Sequence, residues 1–597
     1  MRKLAIFLFA ALLIGLFPQN AKSLEETLPQ QAPVDWRFGI VESYEDPAAA
    51  NASGAAWTRV RFQWAEVQAA GEGSWNNPIV SDAQIAGEAA AGRRVVGLLI
   101  GIPDWANENG LPRGLYLPPE DPGNTWATFV RTAVGRYNGT INNWIIWNEP
   151  DVWDQNAPGH TWNGSVDDFV QLQKVAYLVA KETNPNSTIH LSAFTWFWDA
   201  NYGKPQYMGR MLDKIVAEPG AAENNYYFDV ATAHLYFQPG VVYDIVGGFY
   251  GIMNARGISK PIWIVETNAP PDDDPAWPVP NFTFKVSLEE QARYMPQVMA
   301  LGLAAGAQRI AVYKLKDKDS DVGANPEPFG LVRRDGSRRP AFNSYRVAVN
   351  YMSGVLSARR ERWDNAGVIK LAQQNKTTHV MFSRTLGDVQ VQIAATAATA
   401  VLADMYGVQR IITAENGFFS VTLPNANCSQ IAGEYCMIGG HTYYLVQGAD
   451  GAETEAPSVQ GQGEIAITQA ITPTVELTPT ETLEPTPTET LEPTATSTEK
   501  PTAVPTETPP PTPKPTSTLR PTAFIFPADE FDGTALASSV SKDEIVLEQP
   551  AGTNTPEPAL IPPAPSALRF PTSDLMGYGL ILTGAGLIWL FWSRRKS

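Results

Sequence analysis

Between Trp36 and about Gly354, short apolar runs rich in β-branched residues alternate with longer stretches of helical period. That alternation is the mark of repeated βα units around a parallel sheet. Eight runs read as strands: Phe38–Glu42, Trp57–Phe62, Val95–Gly101, Asn143–Asn148, Thr188–Phe194, Phe228–Tyr236, Ile262–Glu266 and Arg309–Lys314. Eight units in roughly 300 residues fit an α/β fold of the (β/α)8 TIM-barrel type, over 36–354, better than an open doubly wound sheet. Over 355–450 the pattern shifts to VIKLAQQ, HVMFSRT, VQVQIAA, FFSVTLP and TYYLVQ, alternating runs divided by Gly, Asn and Pro. These predict a small antiparallel β-sandwich domain.

The flanking segments have different patterns. Residues 1–23 carry Arg2 and Lys3, an apolar run from Leu4 to Phe17 and the small-x-small close Ala21-Lys22-Ser23, which reads as a cleaved signal peptide. Residues 451–573 are rich in Thr, Pro and Glu, with PTETLEPT at Pro479 to Thr486 and again at Pro487 to Thr494. Such a tract buries too little apolar surface to offset its ordering entropy, so a disordered linker is expected. Near polyproline II, at about 3.1 Å per residue, it would hold the folded part on the order of 100 Å or more from a membrane. Residues 574–593 contain the uncharged apolar run Leu575 to Trp592, long enough for one transmembrane helix, and the tail 594–597 begins Arg594-Arg595-Lys596. The positive-inside rule then puts the tail in the cytoplasm and the folded domains outside the cell, on a single-pass membrane anchor.

Charge and cysteine usage narrow the function. A net charge of −18 argues against nucleic acid, whose binding relies on Lys and Arg contacts to phosphate. Part of that acidity belongs to the linker, and a neutral substrate fits best. The two cysteines, Cys428 and Cys436, are close enough in sequence to suggest one disulfide in an exported protein. The five histidines are too scattered for a metal-ligand motif, and the Asp272-Asp273-Asp274 run reads as a solvated loop, so no metal is expected. No obligate protein partner is evident.

The chemistry lies at two strand ends. The fourth strand leads into Trp147-Asn148-Glu149-Pro150 and the seventh ends at Glu266, each delivering a carboxylate to the carboxyl-end rim where barrel active sites are built. A single rim glutamate is more often just solvated. Two of them, three βα units apart and each behind a buried aromatic and aliphatic strand, are harder to assign to chance. Glycosidic hydrolysis needs such a pair, one carboxyl protonated and one ionised, and repulsion from an ionised Glu266 would raise the pKa of Glu149.

At these residues the chain resembles the glycoside hydrolases of clan A, the 4/7 superfamily. The resemblance covers the barrel, and Trp147-Asn148-Glu149-Pro150 is its most specific signature. It implies a retaining mechanism at a β-type or equivalent equatorial linkage, with Glu149 as acid/base, Glu266 as nucleophile and Asn148 on the sugar 2-hydroxyl. It also implies that His234 and Tyr236, in a His-x-Tyr pair on the sixth strand, orient the nucleophile. An arginine of the second strand would support its ionised form, with Arg59 aligning better than Arg61 although period two points both to one side. Pro103-Asp104-Trp105-Ala106 is similar to a turn of the family 39 group, which puts Trp105 among the substrate-binding residues. Strand eight, Val312-Tyr313-Lys314, departs from the pattern by lacking the tryptophan floor of the reactive subsite, for which Tyr313 is the substitute. Trp153, Trp196, Trp198 and Trp277 fall in loops on the catalytic side, where about half are expected to stack on sugar rings and half to pack the loops. The resemblance thus implies a hydrolase of extracellular poly- or oligosaccharide that needs no cofactor. The alternatives are a non-catalytic surface polysaccharide-binding protein and a transglycosylase using the same residues.

Overall fold

A computed structural model describes residues 34–448, except 158, 280–281 and 322–326. The signal peptide, linker, membrane helix and tail expected from the sequence lie outside the described residues. Among those residues no helix is long and apolar enough to cross a membrane.

Eight parallel strands close into a barrel. They are β1 (Phe38–Ile40), β2 (Trp57–Gln63), β3 (Arg94–Ile100), β4 (Ile141–Ile146), β5 (Thr188–Phe194), β6 (Val230–His234), β7 (Ile262–Glu266) and β8 (Ala307–Val312). Each pairs with its neighbours in chain order, and β8 pairs with β1. The strands are buried nearly throughout, as a sheet covered by helices on one side and packed with side chains on the other requires. Two glycines admit the largest side chains. Gly39 of β1 lies opposite Trp57 and Gly97 of β3 opposite Trp144, and a Cβ at either would sit 2.3 Å and 2.4 Å respectively from the indole ring.

The C-terminal part is antiparallel. A six-stranded sheet runs in the order β9 (Val355–Trp363), β10 (Ala366–Gln373), β11 (Lys376–Ser383), β16 (Tyr443–Gly448), β13 (Thr399–Asp404), β14 (Gln409–Thr413). The pair β12 (Val389–Ala394) and β15 (Phe418–Leu423) packs over it, and Val391, Ile393, Phe419 and Val421 meet Val368, Leu402 and Leu445 in a second apolar core. The sandwich expected over 355–450 is therefore present. Three of its strands, β9, β13 and β14, were not among the runs read from the sequence. β14 is exposed almost throughout, so burial imposes no alternation on it.

Barrel and sandwich share the helix Leu288–Ala304, which is buried nearly all round because one side faces β8 and the other the sandwich. Its Gln297 amide donates to the Gly440 carbonyl at 3.0 Å and accepts from the Gly439 N–H at 3.0 Å. The loop closed by the Cys428–Cys436 disulfide grips the same helix: the Ser429 N–H donates to Glu290 at 2.7 Å. Replacing both cysteines by serine frees a loop whose ends are 8 residues apart. The loop-closure relation gives a loss of about 2.5 kcal/mol. A fall of several degrees in melting temperature is expected, matched by dithiothreitol treatment of the unaltered chain. An unchanged melt in both cases would show that the loop is held by its contacts alone.

Candidate active site

The turn after β4 holds Glu149 in an unusual backbone. Trp147 and Glu149 both have positive φ, 71° and 46°, a region that costs a non-glycine residue of order 1–3 kcal/mol. Neighbouring bonds fix it: the Trp147 N–H donates to the Leu99 carbonyl at 2.8 Å and the Glu149 N–H to the Ala193 carbonyl at 3.1 Å. Thr161 donates to the Asn148 carbonyl at 2.5 Å and accepts the Trp147 indole N–H at 3.1 Å. The carboxyl of Glu149 is thereby set over the barrel mouth, 2% exposed.

Glu266, the last residue of β7, is 6% exposed and faces it. The Arg59 guanidinium donates to its Oε1 and the Tyr236 hydroxyl to its Oε2. Of the two arginines left open by the sequence, Arg59 is thus the one that reaches the carboxylate. His234 links the pair: its Nδ1 lies 2.7 Å from Glu149 Oε1 and 3.6 Å from Glu266 Oε2, and its Nε2 lies 3.2 Å from Arg59. A guanidinium only donates, so Nε2 accepts, and in the neutral ring the proton on Nδ1 points at Glu149. Tyr236 lies two residues beyond the end of β6 and bonds Glu266, while His234 bonds Glu149 and lies beside Glu266 as well.

The two carboxyls are pushed in opposite directions. Burial raises the pKa of Glu149; hydrogen bonding and charge from His234 oppose this, and the negative charge of Glu266 adds to it. Burial would raise Glu266 too, but the charge of Arg59, then His234 and the Tyr236 hydrogen bond, bring it below the usual carboxylate value. Desolvation rather than carboxylate repulsion is therefore the first cause at Glu149. Ligating atoms of Glu149, His234 and Glu266 lie within 4.8 Å of one another, a spacing a cation can use, and Arg59 supplies positive charge at that place.

The remaining sequence candidates separate. Asn148 is buried beside Glu149, and its side chain makes no hydrogen bond among the described residues. Tyr313 packs edge-on against Phe329 at 5.6 Å between centroids, and Phe329 in turn against Tyr236 at 5.7 Å. Trp105 sits in a turn after β3, its indole N–H donating to the Gln68 carbonyl at 2.7 Å and its ring edge-on to Trp64, with no contact to either glutamate. Trp196, Trp198 and Trp277 are buried in their loops, while Trp153 is half-buried. The Asp272–Asp274 run is exposed at Asp273, half-buried at Asp272 and buried at Asp274, and each carboxylate has a partner. Asp272 and Asp273 accept the N–H groups of Val286 and Leu288 at 2.7 and 2.6 Å, and buried Asp274 pairs with Arg333 and Arg339.

Sequence reading missed two supports of the site. Asn268 donates to the carbonyls of Tyr313 and Phe329 at 2.6 and 2.7 Å, tying β7 to the loop after β8. Asp151 accepts from the Thr195 N–H and hydroxyl at 2.7 and 2.9 Å and joins the turns after β4 and β5. A polar residue following each catalytic-type glutamate by two was the only sequence sign of either.

No protein-family model and no curated protein matches the chain. Among solved structures it is similar to a family 39 glycoside hydrolase from the gut symbiont Bacteroides cellulosilyticus WH2, at 15% identity over 71% of this chain and 82% of that one, with a TM-score of 0.51. A family 30 endoxylanase from Clostridium papyrosolvens C71 aligns at 14% identity over 71% of this chain and 98% of that one, with a TM-score of 0.46. At 15% identity the likeness to the family 39 enzyme is one of fold alone.

Proposed function

We propose that the chain is a retaining O-glycoside hydrolase of clan A acting on extracellular poly- or oligosaccharide. One observation carries the mechanism: an oxygen of Glu149 and one of Glu266 lie within 4.8 Å of each other. Retaining enzymes hold their carboxyls about 5–5.5 Å apart, whereas inverting enzymes leave about 6.5–9.5 Å for a water. Glu266, ionised beside Arg59, attacks the anomeric carbon as Glu149 gives its proton to the leaving oxygen; Glu149 then takes a proton from the water that releases the sugar. In this reading the Asn148 amide bonds the sugar 2-hydroxyl and Tyr313 floors the reacting sugar. The reaction requires water and two carboxyl groups and no cofactor.

The cell-surface setting belongs to the same reading. The signal-like 1–23, the linker, the apolar 574–593 and its basic tail support a single-pass anchor with the barrel outside, and the disulfide suits an oxidising compartment.

The test is proton NMR of the full chain acting on aryl β-glycosides and soluble β-glycans, read before mutarotation. The β-anomer should appear first. First release of the α-anomer would overturn the double displacement, and binding without turnover across the panel would favour a polysaccharide-binding protein.

A further inference from the structure

A cavity of about 680 Å³ opens at the carboxyl ends of β1, β2, β3 and β8. Neither catalytic-type glutamate lines it, but Tyr313 and Thr161 do. Tyr313 reaches Tyr236 through Phe329, and Thr161 holds the backbone of Asn148, so the cavity shares walls with the reacting centre. A hexose unit displaces on the order of five or six waters, roughly 170 Å³. The cavity therefore has room for more than one.

Its charged groups are mostly spent on one another. Lys314 pairs with Glu42 at 3.2 Å and Asp321 at 2.7 Å, and Lys318 with Glu45 at 2.8 Å. Arg61 is different. It lines the cavity, its Nε is buried without a hydrogen-bond partner, and its guanidinium makes no ion pair among the described residues. Its charge helps to hold Glu42 down, at about 2, after the two lysines, yet its donors are unused. A buried donor left unpaired is unfavourable, and an incoming hydroxyl oxygen relieves it. Glu66 and Gln63, also on the wall, offer acceptors for hydroxyl protons.

We infer that this cavity is a subsite for sugar units beyond the two joined by the scissile bond, with Arg61 the residue that recognises them, so that the protein selects chains longer than a disaccharide. This rests on the glycosidase reading above and adds chain length to it.

The experiment uses the full chain carrying Glu266→Gln, titrated by tryptophan fluorescence with β-linked gluco-, xylo-, manno- and galacto-oligosaccharides of two to six units. In the ladder that binds, affinity should rise roughly tenfold or more between two and four units. Adding Arg61→Ala, or Arg61→Gln should the first fail to give a native melt, should reduce that gain to less than about threefold. Affinity independent of length, a gain that survives both Arg61 variants, or no binding to any ladder would overturn the inference. Hydrolysis of the same ladders by the unaltered chain separates the two readings. Hydrolysis without a length gain overturns the subsite alone, while a length gain without hydrolysis keeps the subsite and overturns the glycosidase.

Discussion

Glu266→Ala should lower kcat/KM on aryl β-glycosides by roughly 10⁵-fold, because it removes the atom that forms the covalent intermediate and leaves water with no route of comparable geometry. The variant keeps the groups that define an anion site: Arg59 and the Tyr236 hydroxyl still donate into the space the carboxylate occupied. The phenol is suited to remain a donor, since burial, the largest cause of its raised pKa, does not depend on Glu266. Azide in millimolar excess should enter that space and attack the anomeric carbon from the same side. Its nitrogen forms the new bond as the bond to the aryl oxygen breaks and Glu149 protonates the departing oxygen. Only one displacement occurs, so the product should be the α-glycosyl azide, inverted with respect to the substrate. Glu266→Gln, close to isosteric, controls for the unpaired Arg59 charge that alanine leaves buried, a change that destabilises by several kcal/mol. Residual activity above roughly 1% in a variant with a native melt would place the nucleophile elsewhere.

How much of this was legible in the chain depends on how local each feature is. The eight barrel strands showed because a parallel strand is buried on both faces and reads as an unbroken apolar run, as in Arg94–Ile100 or Ile262–Glu266. Both glutamates showed because each stands at the end of such a run. The choice between Arg59 and Arg61 did not, since period two aims both the same way and only their height on β2 differs. Arg59, deeper in the barrel, meets Glu266; Arg61, two residues nearer the rim, meets the cavity. The turn motif around Trp105 does not show that its indole donates to the Gln68 carbonyl and packs against Trp64, contacts between the loops after β3 and β2. The Asn268 clamp and the Lys314–Glu42 ion pair were illegible because their partners lie 45 to 61 and 272 residues away. The exposed strand β14 carried no alternation to read.

Glu149→Ala should act differently from Glu266→Ala, and the difference assigns the roles. Proton donation matters in proportion to the basicity of the leaving oxygen, so kcat/KM should fall about 10²–10⁴-fold for alkyl or phenyl glycosides and far less for dinitrophenyl glycosides. The pH profile gives a second signature. The unaltered chain is active with Glu266 ionised and Glu149 protonated. Glu266 is held below the usual carboxylate range by Arg59, His234 and Tyr236 against its burial, so activity should persist into acid and fall only as that group takes a proton. Glu149 is raised chiefly by burial, so activity should hold above the ordinary carboxyl range and fall on the alkaline side as its proton leaves. The pair interact, and both limbs belong to the two groups together. Removing Glu149 should flatten the alkaline limb and leave the acid limb in place. Azide should again restore turnover, but now by replacing water in the second displacement, after Glu266 has already formed the glycosyl ester. Two displacements give the β-glycosyl azide, retained where the Glu266 variant gives the inverted one. An α-azide from the Glu149 variant would mean that Glu149 itself is the nucleophile, whereas an alkaline limb that survives the variant would mean that another acid serves the leaving group. Asp151, buried two residues further along the same turn, is the group to examine in the second event, since burial is the first cause that raises its pKa and does not depend on Glu149.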